Sequence, residues 1–324
     1  MVEYTHQKII YHINNENNKS KILYLNGERR QRSMKKTILS KVKKLTSLLL
    51  IGLMLTSVFT GCTTTKADSS NKKTVYRTLK EIKKSGKINI GVFSDKSPFG
   101  YVDKNGKYAG YDVYFANRIA KDLGVDANFV SVEAANRIEY LQTGKVDIIL
   151  ANFTVTKERA EEVDFALPYM NVALGVVSPS NKVIKKLDQI GAKDEVIVIS
   201  GTTAETYLTK NYPKIKLQKY DAYAEAKTAF ENKNGVAWAN DNTEVIAFAK
   251  ENKGYTVGIS SLGDNDTIAP AVTKGNKTLL KWLNDETKAL GKESFFHKNY
   301  EKTLVDTYGA DYEEILVVEG GKVK

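Results

Sequence analysis

A chain of 324 residues is long enough for one or two buried cores, and its formal charge of +11 invites a nucleic-acid reading. The charge is unevenly placed, however: eleven of the 49 basic residues but only three of the 38 acidic ones precede Cys62, so the chain beyond it holds 38 basic against 35 acidic residues, net +3. No basic stripe with interleaved aromatics remains to form a nucleic-acid groove, and Cys62, the single cysteine, leaves no disulfide and no cysteine-based metal site.

Residues 1–33 have no amphipathic period and are rich in Asn, Lys and charge, so they read as a non-structural extension. From Met34 the order is that of a signal peptide over 34–61: Lys35, Lys36, Lys41, Lys43 and Lys44, an apolar run over 45–59, then Thr60 and Gly61 before Cys62. The run falls short of the roughly 20 residues a membrane span needs. Phe59-Thr60-Gly61-Cys62 resembles a lipobox with Phe where Leu is usual, which predicts cleavage behind Gly61 and a lipid on Cys62 that anchors the product to the cell membrane, outside the cytoplasm. The Thr-, Ser- and Lys-rich stretch 62–75 reads as a flexible tether.

Folded structure is expected from residue 76. A short helix leads to a buried strand over 88–93, and Asp103-Lys104-Asn105-Gly106 reads as a hairpin turn with Asn-Gly at its centre. Tyr111, Phe115, Ile119 and Leu123 recur at helical spacing, and a strand over 128–132, a helix over 136–141 and an apolar strand over 146–150 come next. Beyond a strand at 174–177, a second alternating set begins: strand 195–199, helix 203–211, strand 215–220, helix 221–232, strand 235–239, helix 242–250 and strand 255–259. An apolar segment at 268–272 and a long helix over 277–290 precede a tail, 295–324, that exceeds what such a fold needs. Alternation of this kind argues for an α/β protein with largely parallel sheets, whose ligands sit beyond the carboxyl ends of the strands.

Three places are candidates for a site, and the first of them breaks local rules. With Thr156 as N-cap, Arg159 occupies the third helical position, where a capping box wants Glu or Gln and the helix dipole favours an anion. A guanidinium there, beside free backbone N–H groups and the Thr154 hydroxyl, makes a socket for a small carboxylate; the competing reading is an Arg on a solvated face. Thr202 to Glu205 fits a Thr-x-x-Glu capping box whose remaining N–H groups can meet an anion, or can simply cap a helix. Asp241, at the end of an apolar strand, is either another N-cap or the partner of an ammonium.

The run Asn-Phe-Thr-Val-Thr-Lys-Glu-Arg (152–159), continued by Val-Asp-Phe-Ala-Leu-Pro-Tyr (163–169), together with Gly110-Tyr111-Asp112-Val113, resembles the polar amino-acid receptors of bacterial ABC importers, extracellular solute-binding family 3, over roughly 76–299. The resemblance implies a two-lobed periplasmic-binding-protein clamshell with two mainly parallel sheets, lobe 1 from 76–177 plus 268–324 and lobe 2 from 178–267, with hinge crossings near 175–178 and 267–272. It implies that Arg159 grips the α-carboxylate of an amino acid on the turn of Asn152 and Thr154, that Thr202 and Thr203 hold the same carboxylate from the opposite lobe, and that Asp241 receives the α-ammonium. Phe93, Asp95 and Phe99 lie where relatives place aromatics over the ligand, and Arg137 where receptors for acidic ligands bind a side-chain carboxylate; Trp238 reads as packing. The implied partner is an ABC transporter permease, with no cofactor and no nucleic acid. The segments 134–141, 172–179 and 295–300 look most similar to cysteine- or cystine-binding members, which ranks cysteine or cystine ahead of aspartate or glutamate, and glutamine third.

Metal and catalytic motifs are absent from the sequence: only His297 lies beyond Cys62, and there is no His-Glu-x-x-His, Gly-x-Ser-x-Gly or Walker motif. The expectation is therefore no catalytic residue. An enzyme of the cyclohexadienyl dehydratase type shares the clamshell and would need a positioned acid, for which Asp95 and Glu133 are the candidates. A surface adhesin or sensor partner, the third reading, does not explain both a carboxylate socket and an ammonium partner.

Overall fold

The computed structural model describes residues 75–323; the extension, the signal peptide, Cys62 and nearly all of the tether lie outside the described residues. Helix α1 (Leu79–Ser85) opens with a reciprocal capping box between Thr78 and Glu81 and stops at Gly86. Then come β1 (Lys87–Val92), the short meander β2 (Asp95–Lys96), β3 (Gly100–Val102) and β4 (Tyr108–Ala109), α2 (Tyr111–Leu123), β5 (Asp126–Ser131), α3 (Arg137–Gln142), β6 (Ile148–Ile149), α4 (Lys157–Glu162) and β7 (Val163–Phe165). The expected Asn-Gly turn joins β3 to β4, with Gly106 at φ +75° and the Asp103 N–H donating to Lys107 O. Beyond it lie β8 (Met170–Pro179), β9 (Glu195–Ile199), α5 (Thr203–Asn211), β10 (Lys216–Tyr220), α6 (Tyr223–Glu231), β11 (Ala237–Asp241), α7 (Asn242–Glu251), β12 (Tyr255–Ile268), β13 (Ala271–Thr273), α8 (Lys277–Gly291), α9 (Phe295–Thr303), α10 (Val305–Tyr308) and α11 (Glu313–Leu316).

Two five-stranded sheets repeat one plan. The first runs β5-β1-β6-β13-β7 and the second β10-β9-β11-β8-β12. In each, the fourth strand is antiparallel to both neighbours and the other four share one direction, so the expected mainly parallel sheets are present. Ligand-facing loops therefore emerge from the carboxyl ends of β1, β6, β9 and β11, the position such sheets reserve for sites.

The passage between the halves differs from expectation. Leu174, Gly175, Val176 and Val177 are already paired with Asp241, Asn240, Ala239 and Trp238 in the second sheet, so the outward crossing lies upstream of 175–178, at Met170–Ala173. The return is one long bent strand rather than a strand at 255–259 and a separate segment: β12 pairs with β8 from Tyr255↔Pro179 to Ile268↔Met170, with register shifts at three places. Such shifts let an edge strand bend without giving up its ladder. Polar residues from Ser260 to Thr267 hide it in the sequence, because an edge strand with a solvated face need not be apolar.

The tail is structural, contrary to the expectation that it is surplus. Phe296, Tyr300, Leu304 and Tyr308 recur every four residues and are buried in the first core with Phe115 and Tyr169; the Phe115 and Phe296 rings meet edge-on at 5.0 Å. Asn299 donates to Tyr111 O at 2.9 Å, Val317 bridges Met170, and Val318 N–H donates to Tyr169 O. A second cluster runs across both halves, from Phe93 and Phe153 to Tyr223 and Trp238; Trp238 is packed between Phe230 and Phe248, as expected of a core residue.

Candidate ligand-binding site

The carboxyl ends of β1, β6, β9 and β11 bring together side chains separated by up to 145 residues. Asn152, just past β6, adopts φ +45°, a left-handed conformation that a short polar side chain tolerates. Its atoms are held from three sides: its N–H donates to Asp112 Oδ2 at 2.8 Å, its carbonyl accepts from Arg137, and its Oδ1 accepts from Lys96. Asp112, at the start of α2 and fully buried, also accepts from Tyr169 Oη at 2.6 Å. Burial pushes the Asp112 carboxyl up to about 6, against the lowering effect of those two hydrogen bonds.

Thr156 caps α4 as expected, its Oγ1 accepting the Arg159 N–H at 3.2 Å. Arg159 is not, however, on a freely exposed helix start: its side chain turns into the cleft, donating to Thr154 O at 2.8 Å and across it to Gly201 O at 2.9 Å. Arg137 leaves the surface altogether, at 3% exposure, and donates to the carbonyls of Ala134, Ala151, Asn152 and Gly201. The two guanidiniums thus meet at one carbonyl, and both lie over the Phe153 ring, at 4.3 Å for Arg137 and 4.9 Å for Arg159. Burial, then the like charge of Arg137, lowers Arg159 to about 9, still cationic at neutral pH. Among the described residues neither guanidinium makes an ion pair with a carboxylate; the carboxylates that act on them are Asp241 on both, Asp112 on Arg137 and, from β12, Asp266 on Arg159.

Gly201 precedes α5 at φ +77°, and a Cβ there would lie 2.5 Å from Ala135 Cα, so only glycine lets this loop reach the arginines. Thr202 caps α5 by accepting the Glu205 N–H at 3.3 Å, while the Glu205 carboxylate takes the Gly201 N–H at 2.7 Å rather than that of Thr202 as a capping box would have it. Thr203 opens the helix, so the first-turn N–H groups of α5 and the two guanidiniums face one region.

Opposite stands Asp241, at the end of β11. It is the N-cap of α7 by position but makes no capping hydrogen bond. Its Oδ2 lies 3.1 Å from Lys96 Nζ. Lys96, which sequence reasoning passed over, is 1% exposed, and its ammonium sits 5.6, 5.5 and 4.8 Å from the ring centroids of Phe93, Phe99 and Tyr223. Burial would lower it, and Tyr223, Asp241 and Glu244 more than offset that, holding it above the usual lysine range. Phe93, Phe99 and Tyr223 thus surround the Lys96 ammonium, with Phe93 edge-on to Tyr223 at 5.2 Å. The only sequence signal for Lys96 is its place between two aromatics in the loop after β1.

Of the nine residues expected at a ligand, hydrogen bonds and ring contacts tie Asn152, Thr154, Arg137, Arg159, Asp241, Phe93 and Phe99 to one neighbourhood, and Thr202 and Thr203 follow Gly201 at the start of α5. Of the two acids considered for an enzyme, Asp95 accepts the Ala224 N–H at 3.1 Å and Glu133 is exposed. No group of His, Cys, Asp and Glu fit to hold a metal ion exists among the described residues, and no helix among them is long and apolar enough to cross a membrane.

A family model for bacterial extracellular solute-binding proteins, family 3, matches residues 88–305. The chain is similar to a solved structure of the solute receptor for L-cysteine of Neisseria gonorrhoeae, with 51% identity, a TM-score of 0.73, and coverage of 75% of this chain and 100% of that one. It is similar to the cysteine-binding protein of Campylobacter jejuni at 47% identity and TM-score 0.73, covering 74% of this chain and 98% of that one. A glutamine-binding protein of an ABC transporter from Bacillus subtilis (strain 168) is 31% identical over 268 residues, 81% of this chain and 98% of its own length.

Proposed function

The chain belongs to family 3 of the bacterial extracellular solute-binding proteins, and from that premise we propose that it binds a polar L-amino acid, cysteine or cystine, between two lobes and delivers it to an ABC importer permease. The observation that carries this reading is the pair of buried guanidiniums, Arg137 and Arg159, that meet without an ion-paired carboxylate while Asp241 stands opposite. Buried charge calls for an opposite charge, and a zwitterion supplies both. Its α-carboxylate takes Arg159 and the α5 N-terminus at Thr202 and Thr203, with Asn152 and Thr154 shaping the turn; its α-ammonium takes Asp241. Phe93 and Phe99 wall the side chain, with Arg137 behind.

The choice of cysteine or cystine is supported by the names of the Neisseria and Campylobacter receptors. With the outward crossing at Met170–Ala173, lobe 2 begins within β8 and runs to the end of β12, lobe 1 holds the residues on either side, and the paired strands β8 and β12 join the two. Export through the 34–61 signal and lipidation of Cys62 complete the reading, placing the receptor on the outer side of the cell membrane; the mass of the native N-terminus tests this part, and an unmodified Cys62 in a product retaining Met1 overturns it.

Calorimetric titration of the purified, reduced protein with cysteine, cystine, aspartate, glutamate and glutamine tests the ligand. Cysteine or cystine is expected at roughly micromolar Kd or tighter, near −8 kcal/mol. Aspartate or glutamine binding in that range without a response to cysteine or cystine overturns the ligand. No binding of any amino acid, with turnover of a prephenate-type substrate, overturns the receptor.

A further inference from the structure

Lys96 belongs to no part of the zwitterion scheme. Its ammonium is buried, boxed by Phe93, Phe99 and Tyr223, and its one ion-paired carboxylate is Asp241, the group that the scheme assigns to the ligand's α-ammonium. The charged and titratable groups around it are known from every side. Asp241 comes from β11, Tyr223 from α6, and Glu244 from α7, where Glu244 is already engaged 3.1 Å from Lys227. Asp112 on α2 is occupied by Asn152 and Tyr169, and Arg137 and Arg159 add positive charge. Asp266 faces Arg159 from β12, and Asp95 is held by the Ala224 N–H.

Once Asp241 is shared with an incoming ammonium, Lys96 keeps the neutral Asn152 Oδ1, a shared carboxylate and the influence of a Glu244 that is already engaged with Lys227, an incomplete counter-charge for a buried ammonium. The remaining free valence of an amino acid is its side chain. We infer that Lys96 is the specificity-determining residue of this site, and that it selects amino acids whose side chain is negative when bound, cysteine entering as its thiolate. The same ammonium repels Arg, Lys and His side chains, so basic amino acids are excluded by charge rather than by size. This inference rests on the amino-acid receptor reading and adds the charge state of the ligand to it.

The test compares dissociation constants of the wild-type protein for cysteine, S-methylcysteine, aspartate, glutamine and arginine at pH 7 and pH 8. The thiolate fraction of a thiol with pKa about 8.5 rises roughly eightfold over that interval, so cysteine is expected to bind about eightfold more tightly at pH 8, with about one proton released per ligand at pH 7. S-methylcysteine has the same α-groups and no ionisable side chain, so its constant reports any titration of the protein itself and stays as the reference. Tighter binding of aspartate than of glutamine, without a cysteine pH effect, assigns the selected anion as a carboxylate and overturns the thiolate. A cysteine to S-methylcysteine ratio that is constant with pH, together with glutamine or arginine binding within threefold of aspartate, overturns the role of Lys96. Lys96→Met, which keeps an apolar stem in the aromatic box, is expected to remove the pH dependence and to narrow the cysteine preference at least tenfold. If no amino acid binds the wild type at either pH, it is the underlying receptor reading that fails.

Discussion

Asp241→Asn is a demanding perturbation of this protein because it preserves shape and removes only charge. Lys96 Nζ and Asp241 Oδ2 are 3.1 Å apart, with side-chain exposures of 1% and 7%. At an effective dielectric of about 20, that separation corresponds to an attraction of about 5 kcal/mol. The amide oxygen of Asn can still accept a hydrogen bond, and Glu244 continues to act on Lys96 from α7, so the loss of folding stability should be about 2–4 kcal/mol, somewhat below the roughly 3–5 kcal/mol of a buried charge left without any partner. For a folded body of this size that is a fall in Tm of roughly 5–15 °C. Thermal and urea unfolding followed by circular dichroism measure it. In the variant the buried ammonium loses its counter-charge, so the folded-state pKa of Lys96 drops below its unfolded value near 10.4. The unfolded chain then binds more protons in the interval between, and the variant's stability, relative to wild type, rises with pH from about 7 to 10. Lys96→Met combined with Asp241→Asn should recover most of the loss, because no orphaned charge remains. A single variant within 1 kcal/mol of wild type, or a double variant no better than the single, refutes the reasoning.

Arg159→Ala should leave the unfolding transition within about 1 kcal/mol of wild type while weakening cysteine binding at least thirtyfold, as expected when a desolvated charge pair loses a partner; calorimetry and melting curves run together decide between a binding and a folding role. Asp112, raised to about 6 by burial, takes up its proton more readily folded than unfolded, so its contribution to stability is largest below pH 4 and declines between pH 4 and 6. The stability difference between wild type and Asp112→Asn should therefore shift by about 3 kcal/mol across that interval, and a difference independent of pH speaks against it. Gly201→Ala puts a Cβ 2.5 Å from Ala135 Cα at φ +77°, and should cut ligand affinity more than tenfold while costing about 1–2 kcal/mol in stability, with affinity unchanged as the contrary result.

Local rules make much of this fold legible in advance. Strand β9 and helix α5 have the bounds that periodicity and capping assign them, and the residue in the odd third position of α4, Arg159, has a side chain that reaches across to Gly201 instead of serving its own helix. The features that escape such rules are set by contacts distant in sequence. Lys96 carries no periodic signature: its burial exists only because β6 and β11 deliver Asn152 and Asp241 to the same place. Arg137 could be placed at a helix start but not turned inward, since its partners are carbonyls, and carbonyls are everywhere in a sequence. The full length of β12 stays hidden because a half-solvated edge strand obeys backbone pairing and not hydrophobicity.

The bridge between Met170 and Val317 ties the start of β8 to a segment far downstream in the chain. A polypeptide that appears from its N-terminus first presents α1 to β7 long before the aromatic residues of α9 and α10 that must fill the space beneath Tyr111 and Tyr169. The second sheet, built from an uninterrupted stretch, needs nothing from the C-terminal end to close its ladder from β8 to β12. It can therefore assemble while its companion is still open, and the companion must wait for the aromatic residues of α9 and α10, with an unfilled apolar surface exposed meanwhile. A chain that stops before Phe295 should thus yield one finished sheet and one that stays susceptible to proteases.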